Sequence, residues 1–160
     1  MLSVSRIVVP TDFSESSEHA LQTALDLAQR FEAELHLLHV VSPQLYYADM
    51  PELTLIPLEE LSQELIKSGD ERLHAAAGEL KAIRSAAQIH THQVESTLRP
   101  AAAISTFAAE LPADLIVIGS HGNTGIMHAL LGSTAERVVR EAPCPVMVTK
   151  LKEADNQKGT

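Results

Sequence analysis

The chain has 160 residues, a length typical of one domain, and 45% of them are hydrophobic, as in a compact globular protein. A formal net charge of −9 argues against nucleic acid or an anionic membrane as a partner, because either would require a basic surface. The single cysteine, Cys144, excludes an intrachain disulfide and makes a cysteine zinc site implausible. The N-terminal residues lack the pattern of a signal peptide and no window has the length of a membrane span, so we expect a soluble, cytoplasmic protein without membrane insertion.

The N-terminal quarter of the chain predicts two strands joined by a helix. Residues 6–12 form an apolar run that stops at Pro10 and ends in a polar turn, which is typical of a buried strand. Residues 34–41 predict the second strand, and the strand–helix–strand order implies parallel pairing through a right-handed crossover. Between them, residues 16–32 predict an amphipathic helix with apolar residues three or four apart, namely Ala20, Ala24, Leu27, Ala28 and Phe31.

The middle of the chain is less regular. Residues 43–57 contain three prolines without a clean hydrophobic period, which predicts a long loop. Residues 58–84 predict a long helix, although two glycines weaken it. Residues 88–95 alternate in type, as in a strand at a sheet edge. Pro100 suits the first turn of the next helix, whose expected buried face is Ile104, Phe107, Ala108 and Leu111.

The most distinctive stretch follows an apolar, largely β-branched run at residues 115–118, which is typical of a strand buried on both faces. The run stops at Gly119, and more glycines follow within one loop. Gly132 and Ser133 then precede a predicted helix. Its expected buried face is Ala135, Val138, Val139 and Ala142.

A fifth short strand within residues 143–149 completes five strands that alternate with four helices. This order predicts an α/β fold, a single-domain, doubly wound parallel sheet of Rossmann-like type over residues 1–150, with a polar C-terminal tail at 151–160. Ligands of such sheets bind beyond the carboxyl ends of the strands, where the strand order reverses. The two best-equipped ends are the first, with Asp12, and the fourth, with Gly119.

A strand, a glycine-rich loop and a helix N-terminus in this order can hold a phosphate group. Glycine permits a positive φ and lets a ligand approach the main chain, while the first helical turn offers unpaired N–H groups and a dipole that favours an anion. The alternative is that Gly119 and Gly122 are only turn residues and that Ser133 is only a helix N-cap. These residues alone leave both interpretations open.

The glycine motif is accompanied by further motifs at the strand ends. Gly119-Ser-His-Gly122 is followed after nine residues by Gly132-Ser133, which fits the pattern G-x-x-G, nine residues, G-S/T. Pro10-Thr-Asp-Phe-Ser14 ends the first strand, Leu38-His-Val40 ends the second, and Pro143-Cys-Pro-Val146 opens the last. With these motifs, nearly the whole chain resembles the universal stress protein family in its ATP-binding subgroup.

The resemblance implies the sheet order 3-2-1-4-5, which would place Asp12 and Gly119 on adjacent strands. It implies that Asp12 contacts the ribose or adenine region, with Pro10 and Thr11 beside it, and that the backbone of Val40 binds the adenine edge. Ribose and phosphates would be held by Gly119, Gly122, Gly132 and Ser133, with Thr134 close by. Family members commonly form homodimers by pairing their last strands, here near Val146, Met147 and Val148.

The loop after the fourth strand has no lysine of the P-loop type, and Asn123 stands where many family members carry a basic residue. Leu98 also replaces a glycine that the family often has before its third helix. We therefore expect phosphate charge to be offset by backbone N–H groups, the helix dipole and a bound Mg²⁺. The expected ligand is ATP, or AMP or ADP, with an affinity on the order of micromolar, about −8 kcal/mol.

Several other polar residues are candidates for metal binding or catalysis. His90 and His92 share one face of a strand and could bind one metal ion, but with no third ligand nearby in the sequence we favour surface histidines. His36 and His39 fall on opposite faces of their strand and are not a pair. His121 could reach a phosphate or donate a proton, or be an exposed loop histidine. The serines after the first strand lack the G-x-S-x-G elbow of a hydrolase.

Three functions are compatible with these patterns. We favour a regulatory module that binds ATP and passes its occupancy to a dimer mate or an unidentified protein partner in a stress response, without enzymatic activity. The second is an enzyme, either a slow ATPase or a nucleotidyl transferase, but no residue is placed to orient an attacking water and residues 10–17 contain no glycine. The third is an interaction module that binds no nucleotide, against which the intact glycine motif argues.

Overall fold

The computed structural model describes residues 3–97, 99–122 and 131–151. Five parallel strands form one sheet in the order β3-β2-β1-β4-β5, as the family resemblance implied. The strands are β1 (Arg6–Pro10), β2 (Glu34–Val41), β3 (Ile89–Glu95), β4 (Leu115–Gly119) and β5 (Val146–Thr149). The described helices are α1 (Glu15–Phe31), α2 (Pro43–Asp49), α3 (Leu58–Ile83), α4 (Pro100–Glu110) and α5 (Ser133–Glu141), with a 3₁₀ helix at Pro51–Leu55.

The prediction of a long loop over residues 43–57 is wrong, and the described part of the chain contains five α-helices where four were expected. The segment folds as α2 followed by the 3₁₀ helix. Pro43 and Pro51 each stand at the start of a helix, where the missing N–H has no intrahelical acceptor to lose and the fixed φ is already helical. The residues that indicated a loop therefore begin helices.

The two faces of the sheet carry separate aliphatic core layers. On one face, Ile7, Val9, Leu35 and Leu37 pack with buried residues of α1 and α3. On the other face, Val8, Leu38, Ile116 and Ile118 pack with buried residues of α4 and α5. Because side chains alternate across each strand, every central strand contributes to both layers. This is the doubly wound arrangement that the alternating elements predicted.

Helix periodicity located the buried faces with some errors. In α1 the alanines are buried as expected, but Phe31 is 46% exposed, while Leu21 and Leu25 are buried instead. Phe31 is the last helical residue, and Glu32 after it turns the chain in a left-handed conformation. In α5, Val138 is fully buried and Val139 is 48% exposed, because the adjacent residue lies about 100° around the helix.

The two ends of the strand order are sheet edges. β3 forms one edge, as the alternation of its residues predicted, and β5 forms the other. Met147 in β5 is 39% exposed, while Val146 and Val148 pack partly against the α4–α5 layer. Among the described helices, none combines the length and the apolar character that crossing a bilayer requires.

Candidate functional site

The turn after β1 is held by hydrogen bonds of Thr11. Its N–H donates to the Leu38 carbonyl at 2.8 Å, which extends the pairing of β1 with β2 by one residue. Its buried hydroxyl oxygen accepts from the Phe13 N–H at 3.0 Å and lies 3.1 Å from the Ser17 hydroxyl. Pro10 is buried as well. The side chains of Pro10 and Thr11 therefore shape this turn from inside the protein.

Asp12 has an oriented carboxylate at this strand end. Its Oδ1 accepts hydrogen bonds from the Ser14 N–H at 3.0 Å and from the Ser14 hydroxyl at 2.5 Å. The Ser14 hydroxyl oxygen in turn accepts from the Ser17 N–H at 3.3 Å and caps the start of α1. The helix start and the direction of the Asp12 side chain are thus determined together.

The glycines after β4 are required by close packing. A Cβ built at Gly119 would lie 2.8 Å from the backbone carbonyl atoms of Ser16 and 2.5 Å from its hydroxyl. A Cβ at Gly122 would lie 2.6 Å from Oδ2 of Asp12. No described glycine has a positive φ, so close approach is the reason for glycine at both positions. Gly122 and Asp12 come together as the predicted cleft requires.

Two backbone bonds of Ser120 connect this segment to its neighbours. The Ser120 N–H donates to the Thr149 carbonyl at 2.9 Å, and the Ser120 carbonyl accepts from the Gly132 N–H at 2.7 Å. The second bond brings the start of α5 back beside the end of β4. His121, which the sequence left as either a phosphate contact or an exposed loop residue, lies here. Its Nδ1 is 3.0 Å from the Ser120 hydroxyl, and its backbone N–H donates to the Ser16 hydroxyl at 3.4 Å.

The N-terminus of α5 faces this group of residues. Gly132 is its N-cap, in extended conformation, and no side chain of the described residues caps it. Ser133 is the first helical residue, so the interpretation of Ser133 as an N-cap is wrong. A Cβ at Gly132 would lie 3.2 Å from the Ser120 carbonyl oxygen. The first-turn N–H groups of Ser133 and Thr134 have no intrahelical acceptors, and the helix dipole adds partial positive charge there.

Val40 is placed by the strand register. β1 pairs with β2 through Pro10 opposite Leu38, so Val40 lies two residues beyond the last pair. Along β2, Glu34 N–H and Leu38 carbonyl bond towards β1, whereas Leu35 N–H and Val41 carbonyl bond towards β3. This alternation directs the N–H and carbonyl of Val40 towards the β1 side, past the end of β1. Its side chain packs in the α4–α5 core layer.

His39 supports the Asp12 turn. Its Nδ1–H donates to the Thr11 carbonyl at 2.9 Å, and its ring lies 4.6 Å from that of Phe13. The Arg72 guanidinium lies over the Phe13 ring, 4.2 Å from the ring centroid. Burial lowers the pKa of His39 below its usual value, against the opposite effect of the bond to Thr11. A neutral imidazole therefore holds the turn.

The structure thus brings Asp12, Gly119, Gly122 and Gly132 together at the carboxyl ends of β1 and β4, with Ser133 and Thr134 at the adjoining helix start. Val40 lies across the end of β1. The sequence reasoning missed Ser16, which packs on Gly119, and the supporting contact of His39. Neither had a signal in sequence spacing, because each contact joins segments far apart in the chain. Asn123 and Gly125 lie outside the described residues.

The fold defines a doubly wound α/β protein whose strand order reverses between β1 and β4, the place where such sheets bind ligands. Residues 3–150 match the universal stress protein family, and the chain belongs to that family.

Individual relatives agree. Universal stress protein MJ0531 of Methanocaldococcus jannaschii is 40% identical over 153 residues, covering 91% of this chain and 81% of that protein. The structure of the universal stress protein UspA from Lactobacillus plantarum is 31% identical with a TM-score of 0.77, covering 91% of this chain and 97% of the other. A universal stress protein solved in complex with cAMP is 26% identical with a TM-score of 0.64, covering 92% of this chain and 98% of the other.

Proposed function

We propose that this protein is a regulatory module that binds an adenine nucleotide, ATP or its products AMP and ADP, in the cleft between β1 and β4. The observation that carries the proposal is the approach of Asp12 Oδ2 to Gly122, beside the uncapped start of α5. The similar protein solved with cAMP supports an adenine nucleotide as the ligand class.

The cleft has two chemically different ends. The Asp12 carboxylate accepts hydrogen bonds and repels phosphate, so it suits the ribose hydroxyls. The first-turn N–H groups of Ser133 and Thr134, which have no acceptor within the helix, suit the phosphates. The main chain of Val40, directed past the end of β1, is available to the adenine edge. Between these ends Gly119, Gly122 and Gly132 let the main chain pack closely against Ser16, Asp12 and Ser120.

Charge limits the affinity. The protein carries a net charge of −9, and no lysine stands in the glycine segment between residues 119 and 134. Phosphate charge is then offset by main-chain dipoles and a bound Mg²⁺, which takes phosphate oxygens together with water. We expect a Kd on the order of micromolar for Mg²⁺–ATP, about −8 kcal/mol.

Calorimetric titration with ATP, AMP and Mg²⁺ tests the proposal. Gly122→Val puts side-chain carbon where Asp12 Oδ2 lies and should abolish binding, and Asp12→Ala should weaken it sharply. Asp70→Ala, which removes an exposed carboxylate on α3, and Gly78→Ala, where a Cβ meets nothing within 4 Å, are matched controls that should bind as wild type does. Urea unfolding verifies that each variant is folded. Normal ATP binding by folded Gly122→Val would show the cleft assignment to be wrong.

The same cleft distinguishes a module from an enzyme. Asp12 Oδ1 accepts hydrogen bonds from Ser14, and His121 Nδ1 lies 3.0 Å from the Ser120 hydroxyl, so both of these titratable groups are already engaged. We propose that bound ATP persists, with phosphate release well below about one per second, the lower end of typical turnover numbers. A turnover assay with Mg²⁺–ATP that found several events per second would favour the enzyme instead.

A backbone hydrogen bond connects the proposed nucleotide cleft to the edge strand of the sheet. The Ser120 N–H that follows Gly119 donates to the Thr149 carbonyl of β5, so the glycine segment is bonded to the edge strand. We propose that two copies pair through β5 near Val146, Met147 and Val148, and that occupancy changes this pairing or the contact with a regulatory protein. An edge strand with an exposed apolar residue is suited to such pairing.

Light scattering after size exclusion, with and without ATP, tests the pairing. Met147→Asp should give monomers, because a carboxylate at the centre of the paired edge is desolvated without a partner. Val139→Asp is the control, since Val139 is also an exposed apolar residue, at 48%, but lies on α5. Dimers of Met147→Asp would contradict pairing through β5.

A further inference from the structure

Three histidines meet on the α4 face of β2 and β3. The register places His36 directly beside His90, and His92 is two residues further along β3. The His36 ring is 4.8 Å from that of His90 at an interplanar angle of 16°, and 5.2 Å from that of His92. His36 is 4% exposed, whereas His90 is exposed. We call these three residues and Glu34 the histidine cluster.

Glu34 completes a set of metal-ligand atoms. Its Oε2 lies 3.3 Å from Nε2 of His36, and one ligand atom each of Glu34, His36 and His90 lie within 4.8 Å of one another. We propose that Glu34, His36 and His90 bind a divalent transition-metal ion of the zinc type, with solvent as its fourth ligand. Two imidazoles and a carboxylate with one open position are a donor set that zinc accepts.

Bond lengths decide which side chains must move. Zinc–nitrogen bonds of about 2.0–2.1 Å place tetrahedral ligand atoms about 3.4 Å apart. The Glu34–His36 separation already matches this spacing. The exposed side chain of His90 must therefore turn to bring its ligand nitrogen closer to the other two ligand atoms, while the buried His36 stays in place. The Glu34 side chain, 42% exposed, has similar freedom.

His92 fits the role of an outer partner that orients His36. Its Nε2 lies 3.0 Å from His36 Nδ1, and Phe107 holds its ring at a centroid distance of 4.8 Å. When His36 Nε2 binds metal, its Nδ1–H can donate to His92, which is the arrangement that metal-bound histidines use. Burial lowers the pKa of both His36 and His92.

The histidine cluster is separate from the proposed nucleotide cleft. Glu34 opens β2 and His36 pairs with Val8 in the middle of β1, whereas the cleft lies past the carboxyl ends of the strands. Sequence reasoning favoured surface histidines at His90 and His92 because no third ligand lies nearby in the chain. The two ligands that complete the set with His90, Glu34 and His36, come from the neighbouring strand. Metal binding at the histidine cluster can therefore be tested independently of nucleotide binding.

Titration of the full chain with Zn²⁺ by calorimetry, without nucleotide, tests this site. Wild type should bind one equivalent with a Kd in the micromolar range or tighter. His90→Ala should weaken binding about 100-fold or more, since even outer partners of metal ligands contribute 10–100-fold. His19→Ala removes an exposed histidine from α1 and should leave the affinity unchanged. Glu34→Gln, also near the surface, should repeat the loss if His90→Ala proves unstable.

Co²⁺ spectroscopy reports the ligands directly. The bound ion should show visible bands of nitrogen and oxygen coordination without thiolate charge transfer, which excludes Cys144. His92→Gln should bind about 10-fold more weakly, because the outer partner of His36 is altered. The proposal is overturned if wild type binds no Zn²⁺, if folded His90→Ala binds as tightly as wild type, or if His19→Ala loses as much affinity as His90→Ala.

Discussion

The cleft at the ends of β1 and β4 and the histidine cluster on β2 and β3 are assembled in opposite ways. The cleft exists because side chains are missing: Gly119 and Gly122 admit Ser16 and Asp12 at distances that a Cβ would forbid. The histidine cluster exists because side chains meet across two paired strands. Added atoms should therefore damage the cleft, and removed atoms should damage the histidine cluster.

The largest effect should come from an added atom at Gly119. In Gly119→Ala the new methyl would lie 2.8 Å from backbone atoms of Ser16, and neither β4 nor the start of α1 can move away without disturbing the core. We expect the free energy of unfolding to fall by about 3 kcal/mol, as in other overpacked sites. Urea unfolding measures this loss.

Gly78→Ala is the matched control for that experiment. Gly78 lies in α3 with nothing within 4 Å of a built Cβ, so the same substitution should stabilise the protein by about 0.5–1 kcal/mol through helix propensity. If Gly119→Ala also unfolds within 1 kcal/mol of wild type, close packing does not explain the glycine after β4.

A smaller effect is expected from Ser14, where the cleft depends on a side chain after all. Ser14→Ala removes the N-cap of α1 and the hydroxyl that donates to Asp12 Oδ1. We expect a loss of about 1 kcal/mol in unfolding free energy. Nucleotide affinity should fall by about 0.5–1.5 kcal/mol, because Asp12 must then be immobilised on binding. Urea unfolding and ATP calorimetry measure the two losses.

Thr23→Ala in the same helix separates these effects from a general change in α1. Thr23 donates within the helix, to the His19 carbonyl, and its loss should change stability by less than about 0.5 kcal/mol and leave ATP binding unaltered. If Ser14→Ala binds ATP as wild type does, orientation of Asp12 by Ser14 does not contribute to the cleft.

Local sequence patterns predicted most of the fold. The bounds of β2 agree with the apolar run at residues 34–41, and the edge position of β3 agrees with its alternation. Residues 43–57 were missed because proline both interrupts helices and begins them, so its presence has two meanings. Periodicity also placed Val139 on the buried face of α5, although that face ends at Val138. The helical period gives the direction of the buried face but not its width.

The two regions differ in how far sequence could predict them. Consecutive motifs pointed to the ends of β1 and β4, and the structure brings Asp12 to Gly122 there. The hydrogen bond between His36 and His92 instead joins residues 56 apart, and it depends on the register of two strands. A shift of one residue would put their side chains on opposite faces, and the spacing of histidines along each strand does not show which of them are paired.

The smallest effect on stability is expected from His39. This residue lies on β2, as His36 does, but on the opposite face of the sheet, and it bonds to the cleft. Its pKa in the folded protein is lowered, mainly by burial; Arg72 acts in the same direction, and the bond to Thr11 and the Asp12 carboxylate oppose it. The folded pKa is therefore below the unfolded value of about 6.5. The unfolded chain then binds the proton more readily, so stability is lost as pH falls from about 6.5 towards the folded pKa.

Urea unfolding at pH 7.5 and pH 5.5 measures this loss. Wild type should lose more stability on acidification than His39→Gln, which keeps a donor for the Thr11 carbonyl but does not titrate, and the difference should be below about 1 kcal/mol. His36 and His92 also have pKa values lowered by burial, so both proteins should lose some stability. Equal losses in the two proteins would mean that His39 is protonated as easily in the folded protein as in the unfolded chain, and that the turn carrying Asp12 does not depend on a neutral imidazole.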